Sequence, residues 1–162
     1  IVHTPDLFDG EVFDDLADGI AKRDTVGIPE LSRRATAAVE SLPSECVYAG
    51  FSMGAASAQY LAAARPGAKA VILCHAALPP ALMGIEVWPQ VPVQVHYAEG
   101  DPWVENDQVA ALRDAVTGVG QTWDAHVYPG SGHLFADRDS SDYDDESYAL
   151  LVRRVLTFLS SV

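Results

Sequence analysis

The chain has 162 residues, a length that suits one domain with a single hydrophobic core. Its 23 acidic and 10 basic side chains leave a formal charge of −13, which excludes nucleic acid and anionic membrane as expected partners because both are repelled. No apolar run approaches the roughly 18 residues that a membrane-spanning helix requires. The composition, 49% hydrophobic and 20% charged, is typical of a globular protein.

The cysteines and the first residues bear on where the protein works. Cys46 and Cys74 lie in apolar, strand-like runs, which favours reduced core thiols over a disulfide. Residues 1–5 lack the basic segment of a signal peptide. They also lack a methionine, which indicates that residues were removed or that the chain is part of a longer one. We expect a cytoplasmic protein.

In chain order, the first predicted elements are a short strand and two helices. Residues 1–5 have the pattern of the end of a buried strand, stopped by Pro5. Helices are predicted over 12–21 and 29–41, and the second has Pro29 in its first turn, where a missing N–H costs nothing.

The rest of the chain alternates strands with helices. The predicted strands are 46–49, 70–75, 93–97 and 122–128. The predicted helices are 53–64, 106–116 and 143–159, and the irregular segment 76–92 holds at most a short helix near 80–84. This alternation predicts an α/β fold, a three-layer sandwich in which a mostly parallel sheet has helices on both faces.

A glycine-flanked serine, Ser52, stands between a predicted strand and a predicted helix. Gly50 and Gly54 complete the pattern G-x-S-x-G, in which a sharp turn lifts the serine hydroxyl off the strand and the glycines leave room for it. The backbone N–H of Met53, which opens the helix, would then point to where negative charge develops on an attacked carbonyl. A plainer alternative is that Ser52 only caps the helix.

Two later residues, Asp101 and His133, are candidates to activate this serine. A serine hydroxyl needs a base that takes its proton and a carboxylate that orients the base. Asp101 and His133 follow the last two predicted strands, so both lie at the carboxyl edge of the sheet. The order Ser52, Asp101, His133 predicts a catalytic triad. Glu99 is a rival orienting carboxylate, and the plainer alternatives are a turn-forming Asp101 and a solvated His133.

Aromatic side chains and further histidines surround this predicted triad. Phe51, Trp103 and Phe135 could line a substrate pocket, although core packing explains them equally well. The other histidines lie in predicted strands, where a structural role is expected; they are His3, His75, His96 and His126. His75 ends its strand near the elbow, the turn Gly50–Gly54 around Ser52, which leaves a pocket-lining role open.

An acidic run lies between Asp137 and Glu146. It lacks the glycine and the glutamate spacing of an EF-hand loop, so we expect these carboxylates to cap and stabilise the start of the last helix. We therefore expect no metal ion, and the predicted chemistry needs no cofactor.

Four stretches of the chain together resemble a known family. They look like the dienelactone hydrolase family of α/β-hydrolases, and the likeness covers nearly the whole chain. The stretches are Pro5–Gly10, the elbow Gly50–Gly54, the turn Gly100–Asp101 and residues 132–136.

The resemblance implies an α/β-hydrolase fold and a role for each site residue. Ser52 would be the nucleophile, His133 the base, Asp101 the orienting carboxylate and the Met53 N–H one oxyanion donor. It also implies that three strands and a second oxyanion donor precede the chain. Residues 1–162 would then be the C-terminal two-thirds of a single α/β-hydrolase domain, N-terminally incomplete.

Two residues depart from the family pattern. The best-known members use a cysteine nucleophile where this chain has Ser52, which favours ordinary serine-esterase chemistry. Those members also hold the substrate carboxylate with an arginine four residues after the histidine. Here that position is Asp137, which would repel an anion, and Arg138 is adjacent. Dienelactone is therefore not the expected substrate.

Two functions follow from these observations. The first is a serine hydrolase that cleaves small carboxylic esters or lactones through an acyl-enzyme. The alternative is a non-catalytic α/β-hydrolase-like protein that binds a ligand or a partner. The expected partner is a small-molecule ester or lactone, and assembly into a homo-oligomer is left open.

Overall fold

Four strands and five helices make up the computed structural model, which describes all 162 residues. The strands are β1 (Val47–Phe51), β2 (Ala70–Cys74), β3 (Val93–Ala98) and β4 (Trp123–Tyr128). The helices are α1 (Leu16–Val26), α2 (Ile28–Val39), α3 (Met53–Ala64), α4 (Asn106–Gly118) and α5 (Asp145–Leu159). A short 3₁₀ helix, Pro80–Met83, lies where at most a short helix was expected.

Contacts along the chain divide it into two units, Ile1–Pro43 and Ser44–Val162. A single domain over 1–162 therefore stays a prediction. None of the helices is both long enough and apolar enough to cross a membrane.

The first unit contains α1 and α2. The Asp15 side chain caps α1 by accepting a hydrogen bond from the Ala17 N–H at 2.7 Å. Gly27, with φ of 82°, ends α1 and precedes α2, whose first turn contains a proline as predicted. Arg34 ties α2 to the preceding turn, because its Nη1 donates to the Leu7 carbonyl and the Asp9 carboxylate, each at 2.8 Å.

Two predictions for this unit are wrong. Residues 1–6 form no strand, and Ile1 and Val2 are exposed. A strand exists only where a neighbouring strand accepts its hydrogen bonds, and the first unit contains no strand to pair with this segment. Helix α1 begins at Leu16 rather than residue 12 because the Asp15 cap, not the apolar Val12, sets its start.

The second unit is built on a parallel sheet with the strand order β1-β2-β3-β4. Since the order follows the chain, right-handed crossovers place α3 and α4 on one face. Helix α5 packs on the other face, where its Leu151 and Phe158 join Ile72 and Cys74 of β2 in one apolar cluster. All five residues of β2 are buried, as expected for a strand covered on both sides. The predicted three-layer α/β architecture is confirmed.

The sheet brings three loops to one edge. Parallel strands end at the same edge, so the residues that follow β1, β3 and β4 meet there. These loops carry Ser52, Asp101 and His133, respectively.

The turn between β1 and α3 is strained and tightly packed. Ser52 has φ of 49° and ψ of −117°, a conformation that L-residues rarely adopt. A Cβ atom on Gly50 would lie 2.1 Å from the Gly54 carbonyl oxygen, so only glycine fits at position 50. A Cβ atom on Gly54 would meet nothing within 4 Å. The expectation that both glycines make room for the turn is therefore correct for Gly50 and wrong for Gly54.

These two glycines give a matched test of the turn. Gly50→Ala should lower the free energy of unfolding by about 3 kcal/mol or more, because backbone atoms must move to relieve the clash. Gly54→Ala should change it by less than about 1 kcal/mol, toward stabilisation, because alanine is the better helix former. Denaturant unfolding of both variants measures the difference, and equal effects would contradict the close contact between Gly50 and Gly54.

Candidate active site

The Ser52 side chain points away from the helix that it precedes. Its backbone N–H donates to the Cys74 carbonyl at 2.8 Å, and its carbonyl accepts from the Ala55 N–H at 2.9 Å. The hydroxyl makes no cap hydrogen bond to α3. Instead, Ser52 Oγ lies 2.7 Å from His133 Nε2. The plain capping alternative is therefore wrong.

His133 joins this serine to a carboxylate. Its Nδ1 lies 2.8 Å from Asp101 Oδ2 and 3.0 Å from Oδ1. The carboxylate can only accept there, so Nδ1 carries the proton and Nε2 is free to accept the hydroxyl proton of Ser52. His133 and Asp101 are only 8% and 6% exposed, so neither is a solvated surface residue.

Hydrogen bonds of the backbone hold Asp101 in place. The Gly100 N–H donates to the Gly130 carbonyl at 2.9 Å, which joins the loop after β3 to the loop after β4. Asp101 also forms the predicted turn, since its Oδ1 accepts from the Trp103 N–H at 2.9 Å. The rival Glu99 is exposed, and its N–H pairs with the Tyr128 carbonyl. Asp101, rather than Glu99, contacts His133.

The three aromatic side chains differ in exposure. Trp103 is 55% exposed and Phe51 53% exposed, and the Trp103 ring lies 5.8 Å from the His133 ring. Phe135 is 3% exposed and packs against Tyr128 in the core cluster. Phe51 and Trp103 therefore offer surface to a substrate at this edge of the sheet, whereas Phe135 is a core residue.

His75 also reaches the site. It follows β2, the strand beside β1, and its ring contacts those of Phe51, His133 and Phe135 at 5.8, 5.8 and 4.7 Å. Burial and the nearby His133 lower the pKa of His75 to about 4. The chain position at the end of a strand next to the elbow was the available signal for this contact.

The other histidines do not hydrogen-bond to Ser52 or His133. His96 is fully buried, its Nδ1 lies 2.8 Å from the Tyr128 hydroxyl, and burial followed by His126 lowers its pKa to about 3. His126 Nε2 lies 3.0 Å from Asp124. His3 is exposed and belongs to no strand.

The acidic run caps α5 as predicted. Asp144 accepts a hydrogen bond from the Ser147 N–H at 2.7 Å, and hydrogen bonding with Ser147 lowers the pKa of that carboxyl. Within the chain, no group of three His, Cys, Asp or Glu side chains is arranged to hold a metal ion.

A cavity of about 820 Å³ lies at the other edge of the sheet. It is lined by residues that precede β2, β3 and β4, by β4 itself and by the end of α5, among them Lys69, Pro92, Asp124 and Arg154. It shares no residue with the group around Ser52.

The buried histidines predict a stability that depends on pH. The pKa values of His75 and His96 lie below the ordinary 6.5, so the unfolded chain binds protons that the folded chain does not. The free energy of unfolding should therefore fall as the pH drops below 6.5, until it passes the lowered values near 4 and 3.

The variant His96→Phe isolates this effect from the carboxylates. The slope of unfolding free energy against pH between 6 and 4 should flatten by up to about 1.4 kcal/mol per pH unit. Denaturant titrations at several pH values measure it. An unchanged slope would show that His96 titrates normally in the folded chain.

Comparisons with known proteins support the same fold. The model of the dienelactone hydrolase family matches residues 1–162. Similar structures include a dienelactone hydrolase-like promiscuous phosphotriesterase from metagenomic libraries, with 24% identity and a TM-score of 0.78 over 94% of this chain and 70% of that one. A Klebsiella pneumoniae protein classed as a dienelactone hydrolase has 21% identity and a TM-score of 0.72 over 93% of this chain and 69% of that one.

A third structure, the esterase PE8, has 23% identity and a TM-score of 0.54 over 87% of this chain and 66% of that one. No curated protein matches. The family match extends over the whole chain, and the structural likenesses support its fold. The chain is a member of the dienelactone hydrolase family, a family of α/β-hydrolases.

Proposed function

We propose that this family member is a serine hydrolase that cleaves small carboxylic esters or lactones through an acyl-enzyme. The observation that carries the proposal is the unbroken series of contacts from Ser52 Oγ through His133 to Asp101, with distances of 2.7 and 2.8 Å. A binding module has no need for a hydroxyl held on an imidazole that is itself held on a buried carboxylate.

The proposed reaction has two halves. In the first, Ser52 Oγ attacks the acyl carbon while His133 Nε2 takes the hydroxyl proton and returns it to the leaving alcohol. In the second, water attacks the acyl-enzyme, His133 again takes a proton, and the acid leaves as Ser52 recovers its hydrogen. Asp101 keeps Nδ1 protonated and stabilises the imidazolium that forms in each half.

An oxyanion forms when the carbonyl is attacked. Met53 is the first residue of α3, and its N–H is the proposed donor to that oxygen. The positive end of the helix dipole favours negative charge at the same place. The mechanism uses no metal ion or cofactor.

The surroundings of Ser52 favour an uncharged substrate. Phe51 and Trp103 offer apolar surface for an acyl or alcohol group. Asp137 is exposed at the position where the resemblance places a carboxylate-binding arginine, and the neighbouring Arg138 lies 4.9 Å over the Tyr148 ring. With a net charge of −13, the chain also repels anionic esters at long range.

Removal of the nucleophile tests the proposal. Hydrolysis of p-nitrophenyl acetate, followed by release of nitrophenolate, should fall by at least about 1,000-fold in Ser52→Ala. Ser131→Ala is the matched control, since Ser131 is exposed in the loop before His133 and should leave turnover unchanged. Full activity in Ser52→Ala, or no turnover by the native chain, would favour the binding module instead.

The orienting carboxylate gives a second test. Asp101→Asn keeps the size of the side chain, but its amide N–H can donate to His133 Nδ1. The imidazole proton then moves to Nε2, which can no longer accept the proton of Ser52, so kcat should fall by about 10⁴. Glu99→Gln makes the same chemical change at the exposed rival and should alter kcat by less than about twofold. The reverse ranking in steady-state kinetics would assign the role to Glu99.

A further inference from the structure

His75 occupies a position that costs stability in two ways. Its φ of 64° lies in the left-handed region, which a residue other than glycine adopts only under constraint. Its side chain is 1% exposed, and neither ring nitrogen has a hydrogen-bond partner. Buried polar atoms without partners are rare and destabilising, and a phenyl ring would fill the same space without them. Strain and unmet hydrogen bonds together suggest a functional position.

The backbone fixes His75 beside the elbow. Its N–H donates to the His96 carbonyl at 2.7 Å, and the residue before it accepts from the Ser52 N–H at 2.8 Å. The two left-handed residues of this region, Ser52 and His75, therefore follow adjacent strands at the same edge.

The ring of His75 meets the ring of His133. The two centroids are 5.8 Å apart with an interplanar angle of 62°, an edge-to-face contact. The Trp103 ring also lies 5.8 Å from His133, at an interplanar angle of 40°. His133 is thus held by two ring contacts besides its hydrogen bonds to Ser52 and Asp101.

We propose that His75 is a positioning residue for His133, whose uncharged imidazole holds the base in line and stabilises the positive charge that the base acquires in turnover. The proposal rests on the proposed function, in which His133 becomes an imidazolium twice in each cycle. No bond forms or breaks at His75.

An imidazole suits this role better than a phenyl ring. Because no hydrogen bond fixes its tautomer, the neutral ring can carry its proton on either nitrogen and keeps one unprotonated nitrogen, which a phenyl ring does not offer. The charged or titratable groups that act on it are His133, Asp101 and His96. Burial and His133 keep the pKa of His75 low, so His75 does not compete with His133 for the proton of Ser52.

The variant His75→Phe keeps the ring and removes both nitrogens. We expect kcat for p-nitrophenyl acetate to fall about tenfold while KM changes by less than about twofold, since the loss is confined to the transition state. The acid limb of the kcat/KM profile should move to lower pH, because the His133 imidazolium loses a stabilising neighbour. The melting temperature should change little, because the loss of two unpaired buried nitrogens offsets the added strain of phenylalanine in the left-handed region.

The matched control is His96→Phe. His96 is also buried with an unpartnered Nε2, but its ring contacts His126 and Tyr128 rather than His133. This variant should leave kcat and the acid limb unchanged. If His75→Phe behaves in the same way, or if it raises KM with kcat unchanged, His75 is a packing or substrate-contact residue and the proposal is wrong.

A second measurement needs no turnover, which separates this proposal from the proposed function. The NMR signal of the His133 Nδ1–H, which lies on the Asp101 carboxylate, should shift and exchange faster with water in His75→Phe than in the native chain, whether or not esters are cleaved. His75→Asn, which tolerates the left-handed backbone, is used in the same way if the phenyl variant does not fold. An identical Nδ1–H signal and exchange rate in the native chain and the folded variant would overturn the proposal.

Discussion

The left-handed turn at Ser52 is the constraint on which the rest of the structure depends. It reverses the chain between β1 and α3 in a single residue, which is sterically open only because position 50 lacks a side chain. The turn also moves the serine hydroxyl away from the start of the helix and onto His133. A more relaxed turn would allow the ordinary capping geometry, and the hydroxyl would then stabilise α3 rather than meet a base.

The sheet supplies the other half of the arrangement. Four parallel strands in chain order deliver four loops to one edge, and each loop contributes one side chain, Ser52, His75, Asp101 or His133. Burial then makes these contacts strong, since a carboxylate and an imidazole shielded from water interact more strongly than exposed ones. The strain at Ser52 and His75 is confined to this edge and is supported by the apolar β2, which is buried along its full length.

Local patterns in the sequence predicted most of this architecture. The four strands, α3 and the loops of Ser52, Asp101 and His133 follow from apolar runs punctuated by glycine and proline. The strand at residues 1–5 was predicted wrongly because an apolar pattern does not reveal whether a pairing strand exists. The unsatisfied ring of His75 also has no sequence signature, since burial and hydrogen-bond partners are set by tertiary contacts. The catalytic roles of Ser52, Asp101 and His133 stay a prediction.

Ser52 is proposed to be an activated nucleophile. Reaction with a fluorophosphonate, followed by intact mass and peptide mapping, tests it without any assumption about the substrate. We expect one adduct, carried on Ser52, that is absent from the Ser52→Ala variant. No adduct on the folded native chain, or an adduct that persists in Ser52→Ala, would contradict it.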